Sequence, residues 1–479
     1  MNDLAMRALD TSKARGATYA DVRLIYSNSE AITVKNGTVE GLAMGDSQGF
    51  GVRVIADGAW GFASSGRLTA READRVAALA VKIARASARV KQADVDIGPP
   101  KKAVGQYRTP YRTDPFSISL DEKINLLMAA DEAMRRVGGI RVAESAIELF
   151  RERKTFASTE GSLTEQEITK VGCGIEAMAE GNGDVQNRSY PNSVGRHHGS
   201  GGWEFVVAQD LPGNGQRLAE EAVALLTAKP CPSGVTTIIL DATQLALQLH
   251  ESCGHPIELD RVFGYEASYA GTSFLTTDKL GSFRYGSPRV NVTADATIEG
   301  GLGTFGYDDE GVPAQRVPIV KDGIFVGYLT SRETARVIGQ TSNGTMRADG
   351  WNRIPLIRMT NVNLEPGDWR FDDLIADTDD GIYMQTNKSW SIDDKRLNFQ
   401  FGTEIAWEIK KGKLGAMLKN ATYTGMTPQF WGSCDAICNR DHWQMWGTPN
   451  CGKGQPSQTA GVGHGTAPAR FHNIRVGVI

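Results

Sequence analysis

Cysteine is scarce: the chain has six in 479 residues. That is too few for a disulfide scaffold in so long a protein, and it points to a reducing compartment. No apolar run is long enough to span a bilayer, and the N-terminus lacks an apolar core of signal-peptide length, so the cytoplasm is the expected location. An excess of one charge is missing too. Lys and Arg number 52 against 56 Asp and Glu, for a net charge of -4, with no dense basic run or strip of interleaved basic and aromatic residues. Composition therefore gives no basis for nucleic-acid binding. Glycine, by contrast, is frequent at 54 residues and implies many turns. The length calls for two or three domains with cores of their own.

Turn chemistry sets the organisation. Asn36-Gly37 between residues 31–34 and 39–42, and Asp57-Gly58 between residues 52–55 and 60–63, predict two hairpins. Thr69 with Glu72 predicts a capping box ahead of an Ala-rich helix running to about Ala88. The stretch from Gly98 to Gln106 reads as a linker. Further helices are predicted at about residues 121–137 and 216–228, the second stopping before Pro230. Beyond it the chain looks mostly β, with a hairpin at Asp322-Gly323 and strands at residues 405–409 and 414–418. The expectation is an α+β fold of antiparallel sheets with packed helices. It divides into an N-terminal α/β region with hairpins (1–105), a middle α+β domain (106–229) and a mostly β C-terminal metal-binding domain (230–479).

The chemistry concentrates in Leu249-His250-Glu251-Ser252-Cys253-Gly254-His255-Pro256. Two imidazoles can ligate a metal, and a carboxylate beside them can take a proton from water. The spacing is His-Glu-x-x-x-His, one residue longer than the familiar zincin motif. On a regular helix positions five apart lie about 140° apart, which aims the two rings away from each other. Gly254 permits unusual backbone angles and Pro256 disfavours the helical region for His255, so the helix is expected to break at Gly254 and return His255 toward the metal. A buried strand over residues 235–240 and the cap Asp241 place the motif on a helix starting at Ala242.

A zinc site needs a third protein ligand. Glu258 and Asp260 lie nearby, and Cys434, Cys438, His442, Cys451, His464 and His472 lie far downstream. Cys253 reads better as a small buried thiol. Cys434, Cys438 and His442 offer a second-metal spacing, against which stands the plain reading of buried cysteines. Cys451 sits in a glycine-rich stretch that is expected to form a loop, able to bring a thiolate close to a metal. Other motif-like features take bland readings. Residues 301–306 fit G-x-G-x-x-G without a following helix, and so read as a loop beside the cleft. His197-His198 read as an exposed loop. Arg347 and Arg358 are available for oxyanion support but read better as surface or structural charges.

Four blocks together resemble the TldD/PmbA (TldD/TldE) family, nearly end to end. They are residues 19–23 with 49–53 and 61–63; residues 249–255 with Glu258 and Asp260; Asp308-Asp309-Glu310-Gly311 with residues 321–323, 327–328 and 355–361; and Cys451-Gly452-Lys453 with its downstream glycines. The resemblance implies one Zn2+ per chain held by His250, His255 and Cys451, with Glu251 as the catalytic carboxylate. It implies a zinc metallopeptidase of the HExxxH type. Zinc-activated water would hydrolyse short or unstructured peptides, in leader-peptide processing or degradation, with Glu251 as general base. It also implies a dimer, with a second copy or with a TldE/PmbA-type subunit that lacks the motif; this chain, which keeps it, would be the working subunit. Pro256 stands where family members have a small residue. The competing expectations are a non-catalytic zinc-containing subunit and an amidase of non-peptide substrates.

Overall fold

The computed structural model describes residues 2–193 and 196–477 and shows an α+β fold built on two eight-stranded, mostly antiparallel sheets. The first sheet uses strands β1 (Tyr19–Lys35), β2 (Thr38–Ala56), β3 (Ala59–Ser65), β4 (Val104–Arg108), β5 (Ile140–Ser158), β6 (Leu163–Gly181), β7 (Asp184–Tyr190) and β8 (His197–Ser200). Their order is β3-β2-β1-β5-β6-β4, with β7 and β8 also pairing β6. Both predicted N-terminal hairpins form. Asn36-Gly37 and Asp57-Gly58 have φ of 49° and 78°, and 52° and 73°, the left-handed pair that a two-residue turn requires. Because β1 pairs β5 from Asp21↔Ser158 to Lys35↔Glu144, the first 105 residues and the middle segment share one continuous sheet.

Helices cover the two ends of this sheet. Asn2–Ala14 and Ala70–Ser87 bury Ala8, Leu9, Val76 and Ala80 against Val22, Phe50 and Val52. Thr69 caps the second of these by accepting from the Glu72 amide, while the Glu72 carboxylate turns to Ser65 and Arg75 in place of closing the box. Leu120–Arg135 and Leu211–Thr227 pack on β5 and β6 through Leu127, Met134, Leu218 and Ala222. The latter helix starts earlier than its Pro-Gly-Asn-Gly run suggests. Pro212 is accepted in a first turn, and a Cβ on Gly215 would lie 2.9 Å from Ala133 Cβ, so glycine there lets two helices approach.

The second sheet runs Asp380–Ile392, Gly234–Leu240, Ala469–Val476, Thr422–Met426, Asn398–Lys410, Lys413–Lys419, Lys229–Pro230. Its core of Ile238, Leu240, Leu245, Phe401, Tyr423, Trp431 and Phe471 is fully buried and continues under the motif helix; each such side chain contributes about 1.5–3 kcal/mol. No helix among the described residues is long and apolar enough to cross a membrane.

Candidate metal centre

The central strand Gly234–Leu240 ends at Asp241, whose carboxylate accepts from the Thr243 amide and caps the helix Ala242–Leu249. The helix does not break at Gly254. It widens into a π turn over His250–Gly254, closed by the His255 amide donating to the His250 carbonyl at 3.2 Å. A turn bonded from i+5 to i brings residues five apart onto one face, and the two rings meet at a centroid distance of 4.9 Å. The long motif spacing is thus met by a wider turn. His255 keeps helical angles, φ -69° and ψ -42°, because this hydrogen bond outweighs the bias that Pro256 imposes. Gly254 is helical as well. A Cβ there would lie 2.3 Å from Met359 Sδ, so glycine serves close packing and not a special backbone angle.

Cys451 arrives from the other end of the chain. The glycine-rich stretch expected to be a loop is a β-hairpin, Gln444–Lys453 paired with Gln458–Thr466. Its glycines fall on alternate residues, hence on one face. A Cβ on Gly461, Gly463 or Gly465 would lie 3.0 Å from Leu302, 2.1 Å from Asn361 or 1.7 Å from Trp443. The bare face packs flat against those side chains, and the opposite face meets the motif helix. There Thr466 Oγ1 donates to the Ala242 carbonyl at 2.7 Å, and His464 Nε2 lies 2.8 Å from His250 Nδ1.

His250, His255 and Cys451 present ligand atoms within 4.8 Å of one another, all buried, the one such group of three among the described residues. Hydrogen-bond bookkeeping shows where their lone pairs point. The Val362 carbonyl, which can only accept, lies 3.1 Å from His464 Nδ1, so that nitrogen carries a proton. Burial and the neighbouring His250 hold His464 well below the usual imidazole range, so the ring is neutral and its Nε2 is bare. The proton in the 2.8 Å contact therefore sits on His250 Nδ1, and His250 Nε2 is free to ligate. His255 Nδ1 donates to Glu258 Oε2 at 3.0 Å, which leaves its Nε2 toward Cys451 Sγ at 3.8 Å.

Charge agrees with this geometry. Burial pushes the Cys451 thiol up, but His250 and His255 outweigh it and hold it well below its ordinary value. Burial lowers His255, yet the Cys451 sulfur and Glu258 bring it to about 9, so a metal taking Nε2 would displace a proton from this ring. Lys453, fully buried, sits 2.7 Å from Asp260 Oδ1 and 3.3 Å from Glu258 Oε1, tying the hairpin to the turn behind the motif. Two imidazole nitrogens, each aimed by an outer partner, and a thiolate fit a borderline-soft divalent cation.

Glu251 lies against this group. Burial raises its carboxyl, and His250, His255 and Arg396 outweigh burial and lower it, so it is ionised. Arg396 Nη1 donates to Oε2 at 2.5 Å, whereas Oε1 has no partner among the described residues. Arg396 occupies the tip of the hairpin joining Asp380–Ile392 to Asn398–Lys410, in the left-handed region at φ 64°. Nothing in its sequence context marked it.

The remaining candidates are accounted for elsewhere. Cys253 is buried, its thiol pushed up to about 12 by burial. Cys434 and Cys438 are buried core residues, and His442 Nε2 accepts from the Phe371 amide. His472 pairs with Asp435. Arg358 and Arg347 spend their guanidinium groups on backbone carbonyls, of Cys451 and Gln458 and of Gly461 and Met359 respectively. Residues 301–306 form a loop in which Gly301 and Gly303 admit Asn361 and the Thr360 backbone. His197 and His198 are not exposed but buried in β8. Gly172 makes room for His198, since a Cβ there would lie 2.1 Å from that ring.

Comparison with known proteins places this arrangement. Residues 20–84 match the model of the PmbA/TldA metallopeptidase domain 1, residues 113–229 the central domain and residues 233–477 the C-terminal domain. A metalloprotease of Methanocaldococcus jannaschii is 33% identical over 93% of this chain and 95% of that protein. A metalloprotease TldD homolog of Haemophilus influenzae is 28% identical over 98% of this chain and 95% of that protein. Among solved structures, TldE of Thermococcus kodakarensis shares the fold, with a TM-score of 0.73, 15% identity, and coverage of 99% of this chain and all of that one. The chain belongs to the TldD/PmbA family of metallopeptidases.

Proposed function

We propose that this protein is a zinc-dependent peptidase of short or unstructured peptides, with His250, His255 and Cys451 as ligands and Glu251 as general base. The observation that carries the reading is the convergence of two pre-aimed imidazoles and a thiol beside an ionised carboxylate with one oxygen free. Zinc held there would lower the pKa of water and polarise a peptide carbonyl. The chain supplies the rest. Arg396 fixes Oε2, so Glu251 Oε1 takes the proton from the attacking water and returns it to the leaving amine. Glu258 and His464 keep the two imidazoles in the ligating tautomer.

A purely structural zinc site has no need of a buried carboxylate poised in this way, and the metallopeptidase family argues against an amidase of other substrates. We read the protein as working in a dimer, with a second copy or a TldE-type subunit whose fold it shares, and in the cytoplasm, where its free cysteines would stay reduced. The test is hydrolysis of an unstructured peptide before chelation, after it, and after zinc is restored. Loss and recovery of cleavage in step with about one zinc per chain is the expected result, and cleavage that survives complete zinc removal overturns the proposal.

A further inference from the structure

A cavity of about 540 Å³ lies where the first sheet meets the C-terminal half, walled by β1, β5 and β6 on one side and by residues 302–307, 347–352 and 459–461 on the other. Its volume falls in the range of ligand sites. It also abuts the metal centre. Pro449 in its wall lies on the strand that carries Cys451, and Ala460 in its wall is the register partner of Cys451.

The cavity's cations are not all paired with its acids. Four acidic residues line it, and each has a partner: Glu30 pairs with Lys123, Glu148 with Arg196 and His198, Glu152 with Lys154, and Asp349 accepts from the Thr459 amide and hydroxyl. Two lining cations make no ion pair. Lys170 is half-buried, and its ammonium makes no hydrogen bond or ion pair, only a contact with the Phe150 ring at 5.4 Å. Arg347 bonds to backbone carbonyls alone, and its Nε is buried without a partner. Burial and the nearby Arg347 push Lys170 down to about 8, against the opposite pull of Glu152 and Asp349. A cation withdrawn from water without a contacting carboxylate is costly, and an anion from outside the chain would offset that cost. Phe150, Phe305, Tyr307 and Trp351 supply an apolar surround beside them.

We infer that this cavity binds a carboxylate carried by a short peptide, its C-terminal carboxylate held by Lys170 with Arg347 alongside and its last side chain against the aromatic wall. The inference rests on the peptide reading of the neighbouring metal centre and names the part of the peptide that is recognised. A phosphate or other small anion would use the cations but not the aromatic wall.

The experiment measures peptide binding by calorimetry on the full chain carrying Glu251→Gln, so that turnover plays no part. One hydrophobic peptide is compared as free acid and as C-terminal amide, with and without Lys170→Met, and Lys170→Arg serves as the conservative rescue. The free acid should bind roughly 10- to 100-fold more tightly than the amide, as a charge-assisted bond predicts. Lys170→Met should erase the difference and Lys170→Arg should restore much of it. Because it removes an unpaired cation, Lys170→Met should unfold at the same temperature as its parent or higher, which separates lost binding from lost folding. An amidated peptide ending in Glu tells the two carboxylate sources apart. Binding as tight as that of the free acid moves the recognised group to a side chain and overturns the assignment to the C-terminus. Equal affinity for acid and amide, or a difference that persists in Lys170→Met, overturns the site itself. Normal free-acid preference together with a wild type that cleaves nothing would count against the peptidase reading and leave the cavity assignment standing.

Discussion

His250 owes its free Nε2 to two hydrogen bonds in series that begin at the Val362 carbonyl and pass through His464. Cutting the series should loosen the metal without removing a ligand. His464→Phe is expected to weaken zinc binding about 10- to 100-fold, read by competition with a chelator; an unchanged affinity would show that the relay does not orient the ring. Arg396 acts on the neighbouring carboxylate. Arg396→Gln should keep its zinc and lose roughly tenfold or more in kcat, as a general base no longer held in place would, and full turnover in that variant would sink the assignment. The sequence exposed these residues unevenly. His250, Glu251 and His255 announce themselves because their spacing is local, whereas Cys451 stood out only through its glycine-rich surroundings and a family resemblance. His464 was one histidine among several until Val362 and His250 gave it a role. Arg396 lies 145 positions from Glu251 on a hairpin tip, and no pattern along the chain encodes that approach.

At the scale of elements, the tail hairpin has one glycine face and one working face. Gly463→Ala forces a Cβ to 2.1 Å from Asn361 Oδ1, which also accepts from the Gly303 amide. It should destabilise by about 1–3 kcal/mol and lower zinc retention with it, measured as a fall in Tm and in bound metal; a neutral Gly463→Ala would mean the hairpin is not seated by that face. Strand β8 makes a different test. His197 is buried against Phe205 and Trp446, its Nδ1 accepts from the Gly447 amide at 3.4 Å, and burial pushes it down to about 3. Since the folded value lies below the unfolded one, its contribution is intact above about pH 6.5 and is lost as the pH falls from there toward 3, at about 1.4 kcal/mol per unit. His197→Asn, which keeps an acceptor, should flatten denaturation midpoints over that window relative to wild type. The two-residue turns were readable because Asn-Gly and Asp-Gly dictate φ locally. The buried His pair was not, because the space His198 fills is made by Gly172 on a different strand. Nor was the length of β2, whose residues 38–48 are largely exposed and pair with β1 by register and not by apolar pattern.

Over the whole molecule, the block Asp308-Asp309-Glu310 joins the two halves of the chain. Asp309, fully buried, faces Lys154 at 2.7 Å and Arg23 at 3.4 Å, while Glu310 faces Arg53 at 3.4 Å. Asp309→Asn leaves buried cations from the first sheet short of a partner and is expected to cost about 3–5 kcal/mol, visible as a lowered denaturation midpoint; a variant as stable as wild type would show the contact to be incidental. The block was legible as a family feature but its task was not, since its three basic partners lie more than 150 residues upstream. These contacts hold the first sheet beside the hairpin that carries Cys451, so the metal centre depends on packing from both ends of the chain. The most direct test of the central claim is to measure zinc content and peptide hydrolysis side by side for wild type and Glu251→Gln. The account predicts about one zinc per chain in both and cleavage by wild type alone. Zinc in neither protein, or cleavage by both, would contradict it.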